Sequence, residues 1–387
     1  MLFLPHMTEV KNRSPRDLRI GCAIFFFISG FGYSSWASRI PSIQQQLHLN
    51  EAQLGTLLFA LPIGLMLTMP VTGRLLSHYT SRSIMLFGAL LFNIVLFFLG
   101  LATVAWQFAI ILFAFGSARN LLNLSVNAQS VGVQSLYTKS VITTFHGIWS
   151  LAGFAGAAVG YLMVKLGIGL IYHLGSISIL LCAVSLYFYS YTFYQKPQPT
   201  ERKPFLILPD KHMLKFAIIS FACMACENTM YDWSAIYFEK AVHASASTAT
   251  AGFVVYMIAM TTGRFVGDKL VLRTGIKTLL RFSGWFILSG LLLAVLLPYP
   301  LTAGLGFILV GLGVSCVVPL VFSIAGKSAT LSSGAAIASI STIGYFGFLL
   351  VPPFVGYIAQ AASIRWSFGV IAMLGGLIVW MVSKIKE

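Results

Sequence analysis

The sequence predicts an all-α integral membrane protein of twelve transmembrane helices, and two observations carry that expectation. Of 387 residues, 58% are hydrophobic and 9% charged, with a mean hydropathy of +0.87, a balance foreign to a soluble domain of this length. The apolar residues also come in runs of roughly 20 or more, the length that carries an α-helix across the hydrocarbon core of a bilayer. Strands of a membrane barrel would instead alternate over about 10 residues, which these uniformly apolar runs do not do.

The runs cover 18–40, 53–76, 84–103, 106–133, 142–164, 168–194, 214–238, 247–270, 277–297, 301–325, 334–359 and 364–383, each bounded by charges or by a Pro or Gly turn. With an even number of spans both chain ends share a face, and 20 of the 25 Lys and Arg fall on it. Arg39, Lys165, Lys240 and Arg365 fall on the other face, and Arg119 lies within a span. The positive-inside rule assigns the basic face, with both termini, to the cytoplasm. The formal charge of +15 is then a mark of topology and not of nucleic-acid binding. The apolar stretch at residues 1–7 is too short for a cleavable signal, so the first span reads as an uncleaved anchor.

The longest polar connection, 195–213, follows the sixth run and holds Lys196, Glu201, Arg202, Lys203, Asp210 and Lys211 among four prolines. It divides the chain into an N-terminal six-helix bundle (1–194), a cytoplasmic linker (195–213) and a C-terminal six-helix bundle (214–387). Chains built from two repeated bundles keep their solute site near the midplane between them. A short echo supports the repeat: Gly73-Arg74 ends the second span and Gly263-Arg264 stands near the end of the eighth.

The five cysteines (Cys22, Cys182, Cys223, Cys226 and Cys316) all lie in apolar runs, where they act as small apolar residues, and no disulfide is expected. Cys223 and Cys226 form a CxxC, but mid-span and without a second ligand pair it reads as packing. HExxH, GxSxG and a His cluster are all missing, which argues against a membrane enzyme, and neither a cofactor nor a metal is called for.

Gly73, Leu75 and Arg82 sit where the major facilitator superfamily signature G-x-L-x-D-R-x-G-R-R has its matching residues, and this connection resembles it. Ser77 replaces the acid of that motif and Thr80 its second glycine, so Arg74 lacks the usual partner for a gate at the cytoplasmic face. Arg264, Asp268 and Arg273 offer a substitute in the second half. Five further stretches resemble the fucose-permease-like branch of small bacterial permeases. They are 36–41 (WASRIP), 127–129 (NAQ), 146–150 (HGIWS), 232–234 (DWS) and 344–347 (GYFG) leading to Pro352-Pro353. Asn123 departs from that pattern, standing where many relatives carry an acid. The resemblance implies a major facilitator fold in a bacterial inner membrane, acting as a monomer on a small-molecule solute.

A charge at bilayer depth costs at least about 2.5 kcal/mol, so each one is a functional candidate. Arg119 lies 13 residues into the fourth run, about 20 Å deep, and Glu227 lies 13 residues into the seventh from the opposite face. Asp232 is five residues further, about 140° around the helix, so the two carboxylates share a cavity only if the helix breaks. In the resembled fold the first, fourth, seventh and tenth helices line the cavity, which sets Arg119 and Glu227 on opposing walls. Arg119 then reads as the ligand of an anionic or hydroxyl-rich group and Glu227 as carrier of a coupling proton. A structural ion pair between the bundles is the alternative. Asp232 is either a second proton carrier or a cap on the outer helix end beside Trp233.

Arg119, Asn123 and Asn127 recur at i, i+4 and i+8 with Asn120 beside them, a polar stripe that either contacts solute or hydrogen-bonds a neighbouring helix. Tyr33, Ser34 and Trp36 are candidate contacts for a sugar-like ring, or core. His146 is a candidate gate or proton relay, or an interfacial histidine. Gly156 and Gly160, with Ala152 a turn earlier, predict close helix packing. Pro319 and Pro352-Pro353 predict interrupted backbone hydrogen bonds and bends. The reading these residues support is proton-coupled symport of a small polar metabolite, a sugar or organic acid, by rocking of the two halves. A proton-coupled exporter of amphipathic compounds is the second reading, and a transport-dead sensor of the same fold the third.

Overall fold

The computed structural model describes residues 13–195, 197, 209, 213–325 and 333–385, with the side chains of 268, 333–335, 337 and 338 excepted. The predicted linker thus lies outside the described residues except at 195, 197, 209 and 213, and so does the side chain of Asp268. Before the linker come α1 (Pro15–Ala37), α2 (Ile40–Gln46), α3 (Glu51–Leu58), α4 (Ala60–His78), α5 (Ser81–Leu99), α6 (Ala105–Gln134), α7 (Ile142–Lys165) and α8 (Leu170–Phe188). After it come α9 (Leu214–Lys240), α10 (Ala246–Thr274), α11 (Ile276–Leu296), α12 (Pro300–Val314), α13 (Val317–Ala325), α14 (Ser333–Ala361) and α15 (Ile364–Ser383). α3 with α4 and α12 with α13 each make one span, and α2 is a short helix on the face away from the chain ends. Every predicted run falls on one of these helices or helix pairs.

Local chemistry explains where helices start. Ser14 and Asp17 form a reciprocal capping box on α1, and Asn50 and Gln53 form another on α3. Pro62 and Pro319 each sit in the first turn of a helix, after breaks at Phe59 and at 315–316, where a missing N–H leaves no bond unmade. α14 continues through Pro352 and Pro353, whose missing N–H groups interrupt its hydrogen-bond ladder as expected; the Phe348 carbonyl freed by Pro352 accepts from Asn228 Nδ2 at 3.4 Å. The flanking packing of α3 and α9 holds that backbone helical.

Among the described residues, eleven spans are long and apolar enough to cross a membrane by length and composition alone. The remaining one, α9, carries Glu227, Asn228, Thr229 and Asp232 in its middle and falls short of that threshold. Its polar groups are tolerated because protein encloses it: α10 and α12–α15 pack around it, and α1 and α2 reach it from the first half. Between α1 and α7 the expected close packing is present. A Cβ on Gly156 would lie 2.5 Å from the Phe31 carbonyl oxygen, and one on Gly160 would collide with Ser38 Oγ.

The face away from the chain ends is closed by contacts that join helices before the linker to helices after it. Gln45 Nε2 donates to Glu239 Oε1 at 2.6 Å, and Lys240 Nζ lies 3.4 Å from Glu51 Oε1. Thr56 Oγ1 donates to the Tyr357 hydroxyl at 3.2 Å. The α3 and α14 backbones touch: a Cβ on Gly356 would lie 2.5 Å from the Glu51 carbonyl oxygen and 3.0 Å from Gly55 Cα. Beneath this seal the Tyr33 and Tyr231 rings meet at 5.3 Å.

Candidate solute-binding site

On the chain-end side of the Tyr33–Tyr231 layer lies a cavity of about 330 Å³, within the range of small-molecule sites. One wall comes from α1 (Phe26, Tyr33), α4 (Leu65, Met69), α6 (Arg119, Asn120, Asn123, Leu124, Asn127) and α7 (His146, Trp149). The other comes from α9 (Met224, Glu227, Asn228, Tyr231), α10 (Arg264) and α14 (Tyr345, Phe348).

Helix direction decides where the long side chains go, because Cβ vectors lean toward a helix's N-terminus. α6 starts on the sealed face, so Arg119 leans toward it, while Tyr33 on the oppositely running α1 leans back. The Arg119 guanidinium carbon stands 3.6 Å from the Tyr33 ring centroid and 5.7 Å from that of Phe348. This covers a face of the cation with aromatic density. Among the described residues its Nη1 is buried without a hydrogen-bond partner, and Arg119 joins no ion pair, although the buried Asp232 carboxylate acts on it from a distance.

The alternative of an ion pair between Arg119 and Glu227 is not realised. Glu227 Oε1 lies 3.4 Å from Arg264 Nη2, and both side chains keep 21% of their surface exposed. Arg264 Nη1 donates to Ser150 Oγ at 2.7 Å, and its guanidinium carbon lies 5.6 Å from the Trp149 ring centroid. Contrary to its expected place at a gate on the basic face, Arg264 forms a wall of the cavity. Its helix starts on the sealed face, so the side chain rises into the protein, while Glu227 on the opposite helix leans down to meet it.

The polar stripe of α6 divides its hydrogen bonds. Asn120 Nδ2 donates to Thr72 Oγ1 at 2.8 Å, Asn123 Oδ1 accepts from Ser29 Oγ at 2.9 Å, and Asn127 Nδ2 donates to the Asn123 carbonyl at 2.8 Å. All three still reach the cavity wall. His146 lines the cavity with the Phe26 ring edge-on at 5.3 Å.

Other expected site residues lie elsewhere. Trp36 is fully buried between Phe108 and Phe115, with ring centroids 5.8 and 6.1 Å away, so it belongs to the core and not to the cavity wall. Asp232 is 7% exposed and off the wall; α9 is unbroken, so it does not share the cavity with Glu227. Its Oδ2 accepts from Asn228 Nδ2 at 3.0 Å, and Asn228 is its link to the wall. Arg74 is exposed on α4. Cys223 and Cys226 both point thiols at backbone carbonyls of neighbouring helices, 3.7 and 3.8 Å away, as packing residues do.

Trp149, Tyr231, Tyr345 and Phe348 supply much of the wall and carry no charge that would mark them at bilayer depth. Two of them, Trp149 and Tyr345, do fall within the stretches 146–150 and 344–347 that bear the permease resemblance.

A helical bundle enclosing a mid-depth cavity with charged groups in its walls defines a multi-pass membrane transporter of small solutes, not an enzyme. The chain belongs to the Major Facilitator Superfamily, whose family model matches residues 22–345. It is similar to an uncharacterised MFS-type transporter of Yersinia pestis, 32% identical over 92% of each chain. It is also similar to the uncharacterised transporter y4wD of Sinorhizobium fredii, 30% identical over 95% of this chain and 98% of that one. Among solved structures, a mutant form of the nucleoside transporter NupG superposes with a TM-score of 0.79 over 95% of this chain and 99% of that one. At 15% identity that likeness speaks for the fold.

Proposed function

We propose that this protein is a proton-coupled symporter that brings a small polar metabolite, a sugar or organic acid, across the bacterial inner membrane by alternating access. The observation that carries the reading is the asymmetry of the central cavity: sealed above by contacts between the halves, and walled by the unpaired cation Arg119 and by the Glu227–Arg264 pair. In this reading 1–194 and 214–387 are two six-helix bundles joined by a cytoplasmic linker, both termini are cytoplasmic, and the conformation is inward-facing. Arg119, with Asn123, Asn127 and Tyr33, holds the solute. Glu227 carries the proton, and Asp232 and His146 flank its route. Arg74 and Asp268 remain gate candidates on the basic face, and the protein acts as a monomer. The stretches 36–41 and 146–150 favour the fucose-permease-like branch.

A second reading, a proton-coupled exporter of amphipathic compounds, draws support from the apolar lining of Phe26, Leu65, Leu124, Trp149, Met224 and Phe348. Reconstituted vesicles with an imposed pH gradient separate the two. Uphill entry of a hydrophilic solute with protons supports the symporter, and flux of amphipathic compounds against the proton flow supports the exporter. Absence of flux under every gradient would leave neither.

A further inference from the structure

Resting on the transporter reading, we propose that the solute is an organic anion whose carboxylate takes Arg264 from Glu227 while Arg119 holds it from the opposite wall. The neutral metabolites in the class above are thereby set aside. Arg264 is then a solute ligand and not a gate residue.

The charges of the wall favour an anion. Among the described residues that line it are two guanidiniums, Arg119 and Arg264, and one carboxylate, Glu227. Closing such a site around a neutral sugar would leave Arg119 with no carboxylate in contact and only Asp232, behind the wall, acting on it from a distance, a costly arrangement for an ion out of water. A monoanion neutralises it. The geometry of Arg119 points the same way. Tyr33 covers a face of the guanidinium at 3.6 Å, so its N–H groups are the part left to bind, and Nη1 is buried with no hydrogen-bond partner among the described residues. A planar fork of N–H donors matches a carboxylate better than it matches isolated hydroxyls.

The state of Arg264 supplies the exchange. Its Nη1 is anchored on Ser150 Oγ at 2.7 Å, while its contact with Glu227 is long, 3.4 Å, and part-exposed to the cavity. A solute carboxylate entering there meets a guanidinium already oriented and an incumbent that is easily exchanged. Both guanidiniums act on Glu227, so an anion lodged between them faces the Glu227 carboxylate as a like charge. The exchange balances if Glu227 takes a proton from water on the open side. The pair Glu227–COO⁻/Arg264⁺ plus the solute anion plus H⁺ becomes Glu227–COOH plus the solute anion on Arg264⁺. Charged and titratable groups facing this exchange are Arg119 from α6, Tyr33 from α1, His146 from α7, Tyr345 from α14, Tyr256 from α10, and Tyr231 and Cys223 on α9 itself. Asp232 on α9, buried off the wall and bonded to Asn228, is a second carboxylate within electrostatic reach of Arg119, but among the described residues Glu227 is the carboxylate paired with Arg264. Coupling then follows from competition for one cation and needs no separate relay.

The test uses detergent-purified full-length protein and matched acid and neutral probes: gluconate against glucose, lactate against lactamide, benzoate against benzamide. Binding is read by calorimetry, and proton exchange by a pH indicator in weak buffer. The expected result is that an acid binds while its neutral partner does not, with protons taken up. Arg119→Ala and Arg264→Ala should each weaken it by about tenfold or more, the size of a lost charge-assisted hydrogen bond. Glu227→Gln should bind the acid more tightly and take up no proton. Arg264→Lys, which keeps the charge, guards against misfolding and should weaken binding less than Arg264→Ala. Preferred binding of neutral partners, no acid bound by the wild type, or acid binding indifferent to Arg264 overturns the proposal. Glu227-dependent, proton-driven flux of a neutral solute in vesicles would overturn it too while leaving the transporter reading intact.

Discussion

Gly356→Ala isolates the seal on the face away from the chain ends. The added Cβ would stand 2.5 Å from the Glu51 carbonyl oxygen, 3.0 Å from Gly55 Cα and 3.2 Å from the Trp233 ring. Two of these neighbours are backbone of the facing helix, so the helices must separate rather than a side chain turn aside. Overpacking of this kind costs about 1–3 kcal/mol, which converts to a shift of about 5-fold to 150-fold between conformations with and without the contact. Because α14 is helical on either side of residue 356, the gain of about 1 kcal/mol from replacing a helical Gly by Ala applies to both conformations and cancels between them. It does offset part of the clash in the overall melting temperature. The variant should therefore melt close to wild type while its seal opens more often. The assay is the labelling rate of a Tyr231→Cys reporter, just beneath the seal, by an impermeant maleimide added on the side of the membrane opposite the chain ends. At least a roughly 5-fold faster rate in the Gly356→Ala background is expected. An unchanged rate would show that α3 and α14 do not part during the cycle, and alternating access about this contact would be refuted.

Glu227→Gln should abolish proton-driven accumulation while leaving solute exchange, measured in vesicles with and without a pH gradient; accumulation that persists would remove Glu227 as the proton carrier. Trp36→Ala should destabilise the fold by about 3–5 kcal/mol, as loss of a fully buried aromatic does, with solute affinity unchanged in the folded fraction. A large affinity loss without destabilisation would return Trp36 to the binding site. Lys240→Glu faces Glu51 through a pair whose lysine is 48% exposed, so its effect on stability should stay within about 1 kcal/mol. Double reversal with Glu51→Lys should restore it, and a larger or unrestored loss would mean the pair is not the contact being broken.

Much of the fold is legible in the sequence because the bilayer makes demands that composition must meet. Each crossing needs a long apolar run, and each predicted run is a helix or a helix pair. Where the expectation fails, a neighbour has taken over what the chain could not do alone. α9 reads as a span despite its polar centre, and it is the one that falls below an apolar threshold, because protein and not lipid surrounds it. Pro352 and Pro353 do interrupt the ladder of α14, and the helix continues because Asn228 of α9 takes up the freed Phe348 carbonyl while α3 and α9 pack against it. Conversely, the break at Phe59 carries no strong local signal until Pro62 is placed in the first turn after it.

The site is legible through charge at depth, but depth measured along the axis is the wrong coordinate for a long side chain. Arg119 and Glu227 lie near the middle of their helices, and axial depth finds both. Arg264 lies 18 residues beyond the start of α10, near the basic end of its span, where axial depth alone makes it a gate residue. A guanidinium reaches several ångströms from its Cα, and on a helix that starts at the sealed face it reaches toward mid-membrane. The same rule applied to α9 sends Glu227 the other way, so the two meet between their backbone levels. Trp36 departs in the opposite sense: its depth suits a ligand contact, but its face of α1 turns to Phe108 and Phe115. Depth with helix direction therefore predicts which charges meet, while which face of a helix looks into the cavity is fixed by partners far away in sequence. Adding the N-terminal lean to each charged residue brings Arg264 toward Glu227 from span direction and residue number alone, and turns Arg119 toward Asp232, which acts on it without forming an ion pair.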